Sequence, residues 1–171
     1  ALLPDIPVNG QPNYLLTGDV NNDGMQDLAM AKSGTGSLLV FTGNVNEVDV
    51  QGNNVSIASG DSIPSQTNHT DFGNVSTNLV RSFIIKNTGF VNLAVKKISM
   101  AGSDSTLFTV GGISLPVTIP AGGSAPFVIS FTPGTTGLKS ATVLIENGDC
   151  DENDYNFAVS GNGFSETDPT L

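Results

Sequence analysis

Ala125-Pro126-Phe127-Val128-Ile129-Ser130-Phe131-Thr132 is the run that decides the fold. Phe127, Ile129 and Phe131 occupy every second position, and in an extended chain such residues share one face. The same alternation recurs within Leu79 to Asn87, where Phe83 and Ile85 share a face. It appears again in Ala141, Val143 and Ile145, and in Phe157 and Val159. Period-two burial, broken by turns every eight to twelve residues, is the signature of a β-sandwich. The apolar faces then meet across a gap of about 10 Å. Burying each Phe or Ile contributes about 1.5–3 kcal/mol, so residues 71–164 are expected to fold on their own.

Several short runs surround these strands in a fixed order. They are Thr70-Asp71-Phe72-Gly73-Asn74-Val75, Arg81-Ser82-Phe83-Ile84-Ile85-Lys86-Asn87-Thr88-Gly89 and Ile129-Ser130-Phe131-Thr132-Pro133. An acidic stretch from Asn147 to Tyr155 and a closing Gly161-Asn162-Gly163 complete the series. Over about residues 67–164 the chain resembles the Ig-like domains of the choice-of-anchor D and ASPM-SPD2-Hydin group. That resemblance implies a seven- or eight-stranded sandwich. It also implies a structural or adhesive module of long surface or secreted proteins, with no chemistry of its own.

Upstream of the sandwich the informative stretch is Asp19-Val20-Asn21-Asn22-Asp23-Gly24-Met25-Gln26-Asp27. Side-chain oxygens stand at positions one, three, five and nine, and a glycine stands at six. The spacing suits a backbone bent around a hard cation, and calcium takes six to eight oxygen ligands in flexible geometry. Asp19, Asn21, Asp23 and Asp27 would supply side-chain oxygens and Met25 its carbonyl. Gly24 sits where the chain must reverse, because a residue without Cβ enters left-handed conformations freely. Two like charges ~4 Å apart cost about 4 kcal/mol at an effective dielectric near 20. The empty loop is therefore expected to be loose and the filled loop rigid.

In an EF-hand the bidentate acid stands at position twelve and helices flank the loop. Here position twelve is Ala31, and the flanks Tyr14 to Thr17 and Leu28 to Lys32 read as strands. A further strand at Leu38 to Thr42 and weaker ones at Glu47 to Val50 and Asn54 to Ala58 follow. Residues 14–44 resemble one FG-GAP or VCBS repeat, a propeller blade whose loop acids bind calcium. The resemblance implies calcium at Asp19, Asn21, Asp23, Met25 and Asp27. A propeller needs at least four blades, and a lone unit of about 60 residues buries too little surface to be comfortable alone. The unit is thus expected to pack on a neighbour, and other copies of the chain are the favoured partner.

The organisation expected is an extended arm over 1–13, kept extended by Pro4, Pro7 and Pro12, then a calcium-binding β unit over 14–60. A linker over 61–70, the Ig-like sandwich over 71–164 and a polar tail over 165–171 complete it. The fold class is all-β. The chain of 171 residues carries 16 Asp and Glu against 6 Lys and Arg, a formal net charge of -10. That balance lacks the basic footprint that nucleic acid requires. No run of eighteen apolar residues is present to span a membrane. A start at Ala1-Leu2-Leu3 suits a mature chain after leader removal, or a fragment of a longer one.

The remaining residues give little chemistry. Cys150 is the single cysteine, so it has no partner for an internal disulfide, and it lies in a polar acidic loop. His69 has no second His, Cys or Glu at ligand spacing and reads as a solvated loop residue. Asp149, Asp151, Glu152 and Asp154 read as a solvated hairpin, with a second cation site as the sharper alternative. Sequons stand at Asn54, Asn68 and Asn74. No nucleophile with a base is apparent, so the chain is read as a non-enzyme. The functional expectation is an extracellular, calcium-stabilised structural and adhesive protein of a prokaryotic surface, a self-assembling subunit of a fibre. The alternative is a carbohydrate- or protein-binding module of a larger secreted protein, with cell-surface or matrix glycans as its ligands.

Overall fold

The computed structural model describes residues 12–20, 26–32, 38–41, 43 and 46–165. Its described part is all-β, and the chain divides into two compact units, Ala1–Val45 and Asn46–Leu171.

In the first unit β1 (Pro12–Gly18), β2 (Asp27–Lys32) and β3 (Leu38–Phe41) form an antiparallel sheet with β2 in the middle. Antiparallel pairing puts opposite residues on the same face. Leu15, Met30 and Leu39 form one row, and Thr17, Leu28 and Phe41 the next. Met30 at the centre of that face is buried. Residues 1–11 of the expected arm lie outside the described residues, and Pro12 already opens β1.

The second unit is the Ig-like β-sandwich. Its strands are β4 (Val48–Gly52), β5 (Val55–Ile57), β6 (Asp71–Val75), β7 (Leu79–Asn87) and β8 (Leu93–Ala101), followed by β9 (Phe108–Gly111), β10 (Val117–Ile119), β11 (Ser124–Phe131), β12 (Gly137–Asn147) and β13 (Asp154–Gly163). One sheet has the order β10-β8-β12-β13-β6 and the other β5-β4-β7-β11-β9. All neighbours are antiparallel except β13 and β6, which run parallel.

The alternation that defines β11 is the inner face of the second sheet. Phe127 stands opposite Phe83 of β7, and Phe131 opposite both Leu79 of β7 and Phe108 of β9. Phe131 stacks on Phe108 with ring centroids 4.5 Å apart and meets the edge of Phe72 from the other sheet at 5.7 Å. Phe83 stacks on Phe127 at 5.4 Å and approaches Phe157 across the gap at 6.1 Å. These two aromatic groups join the sheets, and every ring in them is buried. Aromatic pairs add about 0.5–1.5 kcal/mol beyond the area they bury.

Three expectations need correction. Residues 47–58 belong to the sandwich and not to the calcium unit: Val48 pairs with Asn87 and Val50 with Ile85 on β7. The boundary falls at residue 45 because Val48, Val50 and Ile57 are sealed into the sandwich core. This hairpin raises the strand number to ten, above the seven or eight implied by resemblance. Residues 61–70 are not a free linker. Asp61 bridges Phe157 in parallel and its carbonyl accepts the Ala158 N–H, Gly60 N–H donates to Asn156, and Thr70 accepts from Ser160. A polar segment can be docked when its backbone, not its side chains, makes the contacts.

Candidate functional site

The register of β1 and β2 pairs Gly18 with Asp27. Asp19 therefore leaves the sheet directly beside the strand end where Asp27 enters it, and positions one and nine of the loop come together. Asp27 is 1% exposed, an unusual state for a carboxylate. Its Oδ2 accepts the Val20 N–H at 2.7 Å and its Oδ1 accepts the Gly43 N–H at 2.8 Å. Each oxygen is thus aimed by a charge-assisted bond, one closing the loop and one fixing the chain just beyond β3. Asn21, Asp23 and Met25 lie outside the described residues, so the structure speaks for Asp19 and Asp27 alone. The carboxylates of Asp19 and Asp27 are hard-oxygen donors of the kind that Ca²⁺ takes.

A second group of acids converges within the sandwich. Carboxylate oxygens of Glu47, Asp149 and Asp151 lie within 4.8 Å of one another. Asp149 is 2% exposed, and its Oδ2 accepts the Val48 N–H at 2.8 Å, joining the β12–β13 connection to the start of β4. Neighbouring side chains shape the turn around it. Asn147 Oδ1 accepts the Asp149 N–H, Asn147 Nδ2 donates to the Glu152 carbonyl, and Asn46 Nδ2 donates to the Gly148 carbonyl. Burial, opposed by the Val48 bond and aided by nearby Asp151, pushes the Asp149 carboxyl above its ordinary range. Glu152 moves the same way through burial and the charges of Asp149, Asp151 and Asp49.

The solvated-hairpin reading is therefore wrong for Asp149. Glu47, which joins the cluster, carried no signal in the sequence because a hundred residues separate it from its neighbours in space. Protons favour the folded form of raised-pKa acids. Stability should be fullest below the ordinary carboxylate values and decline as pH rises through the raised values of Asp149 and Glu152. Urea melts across that range should show the decline, and Asp149→Asn should flatten it. Asp149→Ala instead leaves the buried Val48 N–H unsatisfied and should cost about 1–3 kcal/mol.

Other sequence candidates are dispersed. His69 is half-buried at φ 66°, in a turn whose backbone lies against Gly52, and is not a solvated loop residue. Arg81 lies on β7 with its guanidinium 5.9 Å from the Phe72 ring, a cation–π position at the rim of the core. Cys150 is exposed. Of the sequons, Asn54 is exposed in the β4–β5 turn and Asn74 is exposed on β6. Asn68 is buried, with its Oδ1 accepting from both the amide and the hydroxyl of Thr70, which leaves no room for a glycan. Tyr155 is also interior: its hydroxyl donates to the Ile57 carbonyl of the opposite sheet, and burial pushes its pKa up to about 12.

No family model matches the chain, and no curated protein matches it in sequence. Similarity to solved structures is found. A protein of unknown function from Porphyromonas gingivalis W83 superposes with a TM-score of 0.51 at 15% identity, over 92% of this chain and 69% of that one. A PapD-like domain of human CEP192 gives 0.43 at 14% identity, over 73% and 90%. WR4, an MSP family member of C. elegans, gives 0.39 at 14%, over 56% and 94%. At such identities the likeness concerns the fold alone, and the fold is an Ig-like β-sandwich.

Proposed function

We propose that this chain is an extracellular, calcium-stabilised structural and adhesive protein that serves as a self-assembling subunit of a surface fibre. One observation carries the reading: the acid at position nine of the DxNxDGxxD loop, Asp27, is buried and held by two backbone N–H groups beside Asp19. The two N–H bonds alone make a staple between the loop and the chain beyond β3; their combination with the DxNxDGxxD spacing is what favours a cation. Bound calcium would supply the positive charge that lets Asp19, Asn21, Asp23, Met25 and Asp27 close around one point. The three-stranded unit resembles a single FG-GAP or VCBS blade, and the sandwich resembles a choice-of-anchor D domain. Both likenesses fit a passive load-bearing role.

Calcium at about ten times its dissociation constant adds about 1.4 kcal/mol to the stability of the unit that binds it. Removal of calcium with EGTA should therefore loosen β1–β3 while the sandwich melts unchanged, as read by hydrogen exchange resolved along the sequence. Negative-stain microscopy should show ordered polymers in calcium and their loss in EGTA. Equal protection of β1–β3 with and without EGTA, together with dispersed monomers in both, would overturn the proposal.

A further inference from the structure

Buried polar atoms seldom go without a hydrogen bond. Among the described residues three such side-chain atoms have none: Gln51 Oε1, His69 Nδ1 and Arg81 Nε. Gln51 and His69 line the same open pocket, about 320 Å³ in volume, against the sheet that holds β4, β7 and β11.

Register builds one wall of the pocket. Gln51 on β4 stands opposite Ile84 on β7, and Ile84 opposite Pro126 on β11, so the three form one row on the outer face. Ser82, two positions along β7, faces the same way. The other wall is the turn over residues 66–69. Gly52 admits it, since a Cβ there would overlap the Asn68 carbonyl, and Asn53 Nδ2 ties it down by donating to the Thr67 carbonyl at 3.1 Å. His69 is held in this turn at φ 66°, a left-handed conformation that costs any residue with a Cβ.

Gln51 is fixed in one orientation. Its Nε2 donates to the Asp49 carboxylate and to Ser56 Oγ. A carboxylate only accepts, so the amide cannot be reversed, and Oε1 remains an acceptor that lacks a donor. His69 Nδ1 accepts or donates according to its tautomer, and the Ser82 hydroxyl and the Asn54 amide at the rim do both. Ile84 and Pro126 form an apolar shelf among these groups. No Asp, Glu, Lys or Arg lines the pocket, and the chain's net charge of -10 turns anions away. Uncharged donors and acceptors beside an apolar shelf match a ring with hydroxyls along its edge and C–H groups on its face. We propose that this pocket binds one neutral pyranose unit of a glycan. The proposal goes beyond the fibre reading and does not rest on it, because every lining residue belongs to the sandwich unit. The volume stands at the small end of ligand sites. Binding of a single ring should accordingly be weak, with a dissociation constant on the order of 1 mM.

The test is ¹⁵N NMR of the full chain, produced without N-glycosylation so that Asn54 is bare, titrated with the methyl glycosides of glucose, galactose, mannose and N-acetylglucosamine. At least one should shift the Gln51, His69, Ser82 and Ile84 amides along a saturable curve. Gln51→Leu, similar in size, removes the acceptor and should weaken binding at least tenfold. His69→Asn, which keeps a residue tolerant of positive φ, should do the same. Ser82→Ala, at an exposed position and the least disturbing to the fold, should weaken it about threefold, and unmoved resonances of β12 and β13 report that each variant is folded. Four sugars that all leave these amides in place, water alone then filling the pocket, would overturn the proposal. So would shifts that persist unweakened in Gln51→Leu and Ser82→Ala, or shifts produced by acetamide or phosphate and by no sugar. The same titration in EGTA should give the same curve, so failure of the calcium and fibre reading is told apart from failure of this one.

Discussion

Phe131→Ala should lower the unfolding free energy by about 3–5 kcal/mol, among the largest losses available to a single truncation here. Phe131 is fully buried, stacks on Phe108 and meets the edge of Phe72 from the opposite sheet. It is therefore one of the rings through which the two sheets touch. Gly161 on β13 lies so near this ring that any Cβ there would overlap it. The surrounding backbone is already at closest approach, and the cavity cannot readily collapse. Urea denaturation followed by circular dichroism provides the check. A loss below about 1 kcal/mol would mean that the site repacks and that the aromatic group is not the keystone of the core.

Gly52→Ala should be comparably damaging for the opposite reason. A Cβ at this position would collide with the backbone carbonyl of Asn68 and approach the Phe83 ring at 2.9 Å. Neither neighbour is the loose end of a flexible side chain. Overpacking costs about 1–3 kcal/mol, occasionally more, and here backbone must move. We expect a loss at the upper end of that range, with the 61–70 segment released from the sandwich and newly sensitive to protease near Asn68 and His69. A variant as stable and as resistant as the wild type would show that the segment is not docked on β4. The measurement is thus also a test of the corrected domain boundary.

The legible parts of this molecule were those encoded by local period. Phe127, Ile129 and Phe131 announce β11 by themselves, and Phe83, Ile85, Ala141, Val143 and Ile145 announce β7 and β12 in the same way. The allegiance of a strand is a different matter. Val48 and Val50 display the period of two plainly, yet nothing in residues 47–58 says whether they pair with β3 or β7, because the partner lies far along the chain. The docking of residues 60–70 was illegible for another reason: it runs through main-chain bonds such as Ala158 N–H to the Asp61 carbonyl, and a sequence shows only side chains.

The same distinction applies to the acids. Asp19 to Asp27 is a contiguous pattern, so its spacing could be read, although its burial of Asp27 against Val20 and Gly43 could not. Asp149 was read with its sequence neighbours and not with Glu47, which lies beside it because the start of β4 bonds to the β12–β13 connection through Asn46 and Val48. Its burial follows from the Val48 N–H that it satisfies, a contact 101 residues distant in sequence.

Calcium titration followed at the Val20 and Gly43 amides tests the account most directly, since both donate to Asp27. Binding should shift both resonances with a stoichiometry of one ion per chain. Asp19→Asn combined with Asp27→Asn should abolish the shifts while leaving the resonances of β7, β11 and β12 in place. Amides at Val20 and Gly43 that stay fixed in millimolar calcium, in the folded wild-type chain, would contradict it.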